Sequence, residues 1–202
     1  MALVDPEDGI LQIFHDPHQA IYISGTSLPT IAYQFALPQV LRNTRQIYEV
    51  GIRRFGIEAL CLGPDGADVR WVSCKPEAVI RELKRILHQL VHDEQIAPNE
   101  IAILTGHRPE RSGIGKENVI GPHQVCVGID DGRRVFVTTI HSFKGLERAC
   151  VILCDLDDAV ERGDEELLYV GMTRARSHLI VLAAPETISR LRAPSEMPRR
   201  AS

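Results

Sequence analysis

The run Leu167-Leu168-Tyr169-Val170-Gly171-Met172-Thr173-Arg174-Ala175-Arg176 ends in two arginines that stand where an amphipathic helix runs into an apolar strand. A guanidinium is a planar fork that matches phosphate oxygens in pairs and keeps its charge when desolvated. Arg174 at such a junction is expected to reach out of the sheet edge and could therefore neutralise charge on a phosphate, the plain alternative being a cation that complements a helix C-terminus. Upstream, Thr138-Thr139-Ile140-His141-Ser142-Phe143-Lys144-Gly145-Leu146-Glu147 follows a second apolar strand. Gly145 permits close backbone approach, and the Glu147 carboxylate can accept from a sugar hydroxyl. Lys144 could meet a phosphate, although a solvated lysine is the commoner outcome.

A phosphate-cradling loop of the Walker A kind needs Gly, four residues, then Gly-Lys-Ser/Thr. Around the Gly115-Lys116 pair, Glu110 stands where the first Gly belongs and Glu117 where the hydroxyl belongs. Asp93-Glu94-Gln95 imitates the acidic pair of a magnesium-binding strand, but it ends an amphipathic helical pattern and reads as a solvated helix end. The chain thus resembles half of a nucleotide site.

These side chains need a scaffold. Short apolar runs alternate with helical stretches, the pattern of a mainly parallel sheet flanked by helices. Strands are expected at Leu11–Phe14, Ala59–Leu62, Val69–Cys74, Ile101–Thr105, Gln124–Val127, Val135–Thr139, Cys150–Cys154 and Leu179–Ala183. Helical spacing covers Gln39–Phe55 and Glu77–His92. Gly63-Pro64-Asp65-Gly66 and Asp130-Asp131-Gly132 read as hairpin turns, Gly106–Gly121 as a mobile loop, and Ala193–Ser202 as a frayed tail.

With 202 residues, 44% hydrophobic and 25% charged, the chain is a soluble α/β domain. A net charge of −4 does not advertise a nucleic-acid binder, and no Lys or Arg precedes Arg42. The five cysteines form no Cys-x-x-Cys pair and lie mostly in apolar runs, which predicts reduced core thiols and a cytoplasmic setting. No membrane segment is expected, because no apolar run approaches the roughly 20 residues that span a bilayer. The apolar run so near the N-terminus predicts a chain cut from a longer one.

The two strings above resemble late motifs of UvrD-like superfamily 1 helicases. Two more stretches extend the resemblance, in the family's order. Phe14-His15-Asp16-Pro17-His18-Gln19-Ala20-Ile21-Tyr22 resembles the third motif, Gly-Asp-x-x-Gln-x-Ile-Tyr, with His15 in place of the Gly; the Trp-Arg that often follows is replaced by Ile23-Ser24-Gly25. Val40-Leu41-Arg42-Asn43-Thr44-Arg45-Gln46-Ile47 resembles the fourth, in which Asn-Tyr-Arg-Ser-Thr precedes a helix. Leu41 stands where the family stacks an aromatic on adenine, and Arg45 could substitute through its guanidinium plane. Asn99–Leu104 is similar to the strand before the fifth motif.

The resemblance implies the second RecA-like domain of an ATP-dependent DNA helicase, a P-loop NTPase-type fold without its own P-loop. Residues 1–22 would be the end of the first RecA-like domain, 23–192 the second with its loop at 106–121, and 193–202 a tail. It implies catalytic arginines at Arg42 and Arg174, and nucleotide contacts at Gln19, Arg42, Gly145, Glu147 and Arg174. Tyr22, Thr139, His141 and Lys144 would face single-stranded DNA. ATP with Mg2+ is the implied cofactor, the metal ligands coming from the first RecA-like domain of the same parent, and the chain alone should be inactive. The alternative is a non-catalytic helicase-like module that binds nucleic acid or a protein. No metal site is expected within the chain: His15, Asp16 and His18, three ligands within four residues of one loop, suit zinc poorly.

Overall fold

The computed structural model describes residues 9–10, 13–14, 16–19, 21, 33–114, 116 and 118–194. Its elements, in chain order, are β1 (Gln39–Val40), α1 (Arg45–Gly51), β2 (Leu60–Cys61), β3 (Arg70–Ser73), α2 (Val79–His88), β4 (Ile101–Thr105), α3 (Pro109–Ser112), β5 (Val119–Ile120), β6 (His123–Val127), β7 (Val135–Thr139), β8 (Arg148–Cys154), α4 (Asp157–Arg162), α5 (Glu165–Met172), β9 (Ala175–Ala183) and α6 (Pro185–Arg192). Seven strands form one sheet in the order β3-β9-β8-β4-β7-β6-β5. All its pairings are parallel except β5 with β6. β1 and β2 make a separate two-stranded parallel ribbon.

Alternation along the central strands divides the core between two faces. Ala102, Leu104, Val151, Leu153, Leu179 and Val181 pack with α1, α4, α5 and α6 on one side. Ile101, Ile103, Cys150, Ile152, Ile180 and Leu182 pack with α2 on the other. Covering on both faces is why these strands read as unbroken apolar runs. Cys74, Cys126, Cys150 and Cys154 lie in this core and Cys61 at its margin, all as free thiols. Burial pushes the Cys150 thiol up to about 12 and Cys154 well above its ordinary value, so neither ionises near neutrality. No helix among the described residues is long and apolar enough to cross a membrane.

Several sequence expectations need correcting. The helical pattern over Gln39–Phe55 is only partly helix: Gln39–Val40 is a strand, α1 starts after the extended N-cap Thr44, and a 3-10 turn at Arg53–Phe55 ends at left-handed Gly56. The Glu77–His92 stripe is a 3-10 turn, α2 and a π turn at Gln89–Asp93, with Val79, Leu83, Ile86, Leu87 and Leu90 inward. Gly63–Gly66 is no hairpin, because β2 and β3 belong to different sheets. Asp130–Gly132 is not one either, since β6 and β7 run parallel. Residues 128–134 carry the chain back; at roughly 3.3–3.6 Å per residue they reach about 23–25 Å, enough to retrace a five-residue strand of about 17 Å. The hairpin in this region is β5–β6, turning at Gly121-Pro122. The stretch 106–121 expected as a loop holds α3 and β5, with Ile114 and Ile120 buried. Leu11 and Gln12 lie outside the described residues, and Ile13 and Phe14 form no strand; Phe14 is largely exposed.

Candidate nucleotide and nucleic-acid site

α5 is seated before its arginine is considered. Asp164 caps it by accepting from the Leu167 N–H at 3.3 Å. Leu167 through Met172 are all buried, so the helix is a core element and not the amphipathic one expected. Gly171 makes this depth possible: a Cβ there would come 2.9 Å from Ile140 Cδ1. That contact presses α5 onto the Thr138–Glu147 loop, whose Ile140 and Phe143 are themselves fully buried.

Arg174 lies in the two-residue joint between α5 and β9 and is only 2% exposed. The expectation that its tip reaches out of the sheet edge is not met. Its Nε donates to the Val170 carbonyl at 3.0 Å, Nη1 to the Leu146 carbonyl at 3.4 Å, and Nη2 to Thr173 Oγ1 at 3.1 Å and Gln19 Oε1 at 3.4 Å. Burial first, and then the charge of Arg42, lower its pKa, while Tyr169, Asp16 and Glu147 oppose the shift. Arg42 therefore lies electrostatically close to Arg174, although the two are far apart in the chain.

Arg42 itself follows β1 and reaches Glu147, Nε to Oε2 at 2.6 Å. Its loop is anchored by the neighbouring Asn43, a residue that the sequence reading gave no role. Buried Asn43 donates to the Thr173 carbonyl at 3.1 Å and the Ala175 carbonyl at 2.6 Å, the two residues flanking Arg174. The Thr44 N–H donates to the Arg176 carbonyl at 3.1 Å. The turn at Gly63–Gly66 closes on the same loop, with the Arg45 N–H donating to the Pro64 carbonyl at 2.9 Å. Two of the resembling motifs are thereby clamped together through backbone carbonyls.

Gln19 sits in a 3-10 turn, its Nε2 donating to Asp16 Oδ2 at 2.7 Å, an oxygen that also accepts from Tyr169 OH at 3.2 Å. Asp16 thus ties the third-motif segment to α5. With one carboxylate oxygen taken by Gln19 and Tyr169 and the other by the His18 N–H, it is committed to structure and not to a metal. Arg176 is half-exposed and bonds Glu100 Oε2 at 2.8 Å, with Glu147 further off at 4.0 Å.

The Thr138–Glu147 loop separates its residues into two groups. Thr139 ends β7 and is level, through β4, with Cys154 at the end of β8. Glu147 precedes Arg148, which opens β8. At about 3.3 Å per residue, the seven residues of β8 put these ends roughly 20 Å apart. Thr139, whose Oγ1 accepts from the Ser142 N–H at 3.1 Å, lies with His141 near one end of the parallel strands. Glu147 lies with Arg42 and Arg174 at the other. Gly145 has φ +87° with no atom within 4 Å of where a Cβ would be, so glycine is needed there for backbone conformation. Tyr22 lies outside the described residues.

Gln19, Arg42, Glu147 and Arg174 are thus brought together, and the backbone that holds them was not among the expected residues. The Arg42 charge disfavours that of buried Arg174, so an anion drawn to Arg42 would relieve both, and Glu147 is within reach of whatever Arg42 holds.

The sheet, its flanking helices and this arrangement define a RecA-like α/β domain. Residues 134–182 match the family model described as UvrD-like helicase C-terminal domain. That stretch contains both the Thr138–Glu147 loop and Leu167–Arg176, so the similarity to the UvrD-like helicase C-terminal domain falls on the two strings that first suggested it. Among solved structures, it is similar in fold to the C-terminal domain of a possible DNA helicase from Lactobacillus plantarum WCFS1, with a TM-score of 0.58 and 21% identity over 77% of this chain and 94% of that one. Comparison with curated proteins gives no match.

Proposed function

We propose that this chain is the second half of an ATP-driven motor on single-stranded DNA, completing a nucleotide site whose P-loop half lies on a first RecA-like domain. Arg42 and Arg174 neutralise phosphate charge from across the interdomain cleft. Gln19, bonded to Arg174, relays the presence of the terminal phosphate. Gly145 and Glu147 receive the ribose. Thr139, His141, Lys144 and Tyr22 contribute to the strand-binding track. When bound, ATP supplies the phosphoanhydride bond whose hydrolysis drives the cycle, and the P-loop half supplies the Mg2+ ligands. Opening and closing of the cleft then steps the protein along the strand.

The observation that carries this reading is the convergence of Arg42, Arg174, Glu147 and Gln19 from four separate segments. A non-catalytic helicase-like module is the second reading, favoured by one fact: Arg174 finds its hydrogen-bond partners within the chain. Calorimetry with Mg-ATP separates the proposal from its failure. Alone, the chain binds at about millimolar Kd or weaker, equivalent to roughly 4 kcal/mol, without turnover. Joined to a P-loop half, it hydrolyses ATP faster when single-stranded DNA is present. Micromolar binding with turnover by the chain alone overturns the proposal; strand binding by the joined protein without hydrolysis establishes the second reading.

A further inference from the structure

On the opposite face of the sheet from Arg174, three histidines from two distant segments meet. His88 ends α2, His92 lies in the π turn Gln89–Asp93, and His123 opens β6. The rings of His88 and His92 are 4.5 Å apart between centroids, and those of His92 and His123 are 5.6 Å apart. One ligating atom from each lies within 4.8 Å of the other two. His123 is 8% exposed, and its buried Nε2 has no hydrogen-bond partner. A buried imidazole nitrogen is ordinarily satisfied, so this one asks for an explanation.

We propose that His88, His92 and His123 bind one divalent transition-metal ion of the zinc class. Imidazole is the ligand such ions favour, and a three-histidine set leaves a fourth position for water. Tetrahedral ligation at about 2.0–2.1 Å places the nitrogens about 3.3 Å from one another. His88 and His92 are exposed and can close that distance by side-chain rotation, with buried His123 as the fixed ligand. Burial is the main cause that holds His123 below the usual histidine range, the direction that favours the neutral imidazole a ligand needs. The π turn is part of the device, because such turns re-aim side chains and recur at functional sites. The ion would staple the end of α2 to the β5–β6 hairpin, where Gly121 already packs against Lys84. Among the described residues, the other grouping of this kind, Cys126 with Asp130 and Asp131, is different: Arg148 and Arg134 occupy its carboxylates.

The test uses the whole chain, purified metal-free and without a polyhistidine tag, titrated with Zn2+ against a chromogenic chelator. One ion per chain is expected, with a rise in melting temperature of roughly 5 °C or more at saturation. His88→Gln and His92→Gln change exposed residues and each weaken binding at least tenfold, whereas His107→Gln leaves it unchanged. His123→Asn abolishes binding; because it alters a buried position, the two exposed variants carry the test if it fails to fold. Co2+ substitution should give a tetrahedral visible spectrum without a thiolate charge-transfer band. Absence of stoichiometric binding, affinity indifferent to His88→Gln and His92→Gln, or a thiolate band would each overturn the proposal.

Discussion

Arg42 and Glu147 form an ion pair, Nε to Oε2 at 2.6 Å, that joins the loop after β1 to the loop before β8. Both side chains are about half exposed, at 47% and 38%. In the proposed site these are the groups for phosphate and ribose. An exposed pair of this kind is easily exchanged for a ligand, being worth about 0.2–1 kcal/mol. The buried amide of Asn43, one residue away, is the firmer tie.

Asn43→Ala should therefore cost the chain about 2–3 kcal/mol, since it strands the Thr173 and Ala175 carbonyls that the amide satisfies. Glu147→Gln should cost less than about 1 kcal/mol. Urea unfolding of both variants measures the difference. Equal losses would mean that the ion pair, not Asn43, holds this loop.

Arg174→Ala should lower stability by about 2–4 kcal/mol, because the Val170 and Leu146 carbonyls lose a buried charged donor. Arg176→Ala, at a half-exposed position, should cost less than about 1 kcal/mol. In protein joined to a P-loop half and assayed well below its melting point, Arg174→Ala should cut turnover by roughly three orders of magnitude. Arg174→Lys should recover little, for want of the fork. A similar loss of turnover at Arg176 would remove the case for Arg174 as the catalytic arginine.

Gly171→Ala sets a Cβ against Ile140 Cδ1. Overpacking of about 1–3 kcal/mol, partly offset by about 1 kcal/mol of helix propensity, should leave a net loss. Ile140→Val deletes the obstructing methyl, so the double variant should be about 1 kcal/mol more stable than the sum of the single losses implies. Strict additivity in thermal melts would show that the contact is not the reason for the glycine.

Tyr169 titrates late. Burial, followed by the charge and hydrogen bond of Asp16, raises its pKa above the ordinary value of about 10. A raised phenol contributes stability that is complete below pH 10 and is lost as pH climbs from there toward the folded value. Absorbance at alkaline pH should show one tyrosine ionising only with unfolding, and Tyr169→Phe should remove that phase. Early ionisation of all tyrosines would mean that Asp16 does not hold Tyr169 in solution.

The central strands were legible because burial on both faces writes itself as continuous apolar runs: Ile101–Thr105 and Val135–Thr139 have the boundaries that the residues imply. The motif strings likewise singled out Arg42, Glu147 and Arg174, which the fold brings together. Pairing direction was not legible. A Gly-Asp turn between two apolar runs looks the same whether the second strand runs back antiparallel or is carried round to pair parallel, and only sheet order distinguishes β6–β7 from a hairpin. Nor could spacing reveal the depth of Arg174, which depends on Gly171 letting α5 settle onto Ile140. The meeting of His88 and His92 with His123 was equally invisible: a His-x3-His helix marks two ligands, but the third arrives from a strand that the fold alone brings alongside. Local chemistry is written in residue types; which distant segments share a site is settled by how the sheet orders its strands and which helices cover it.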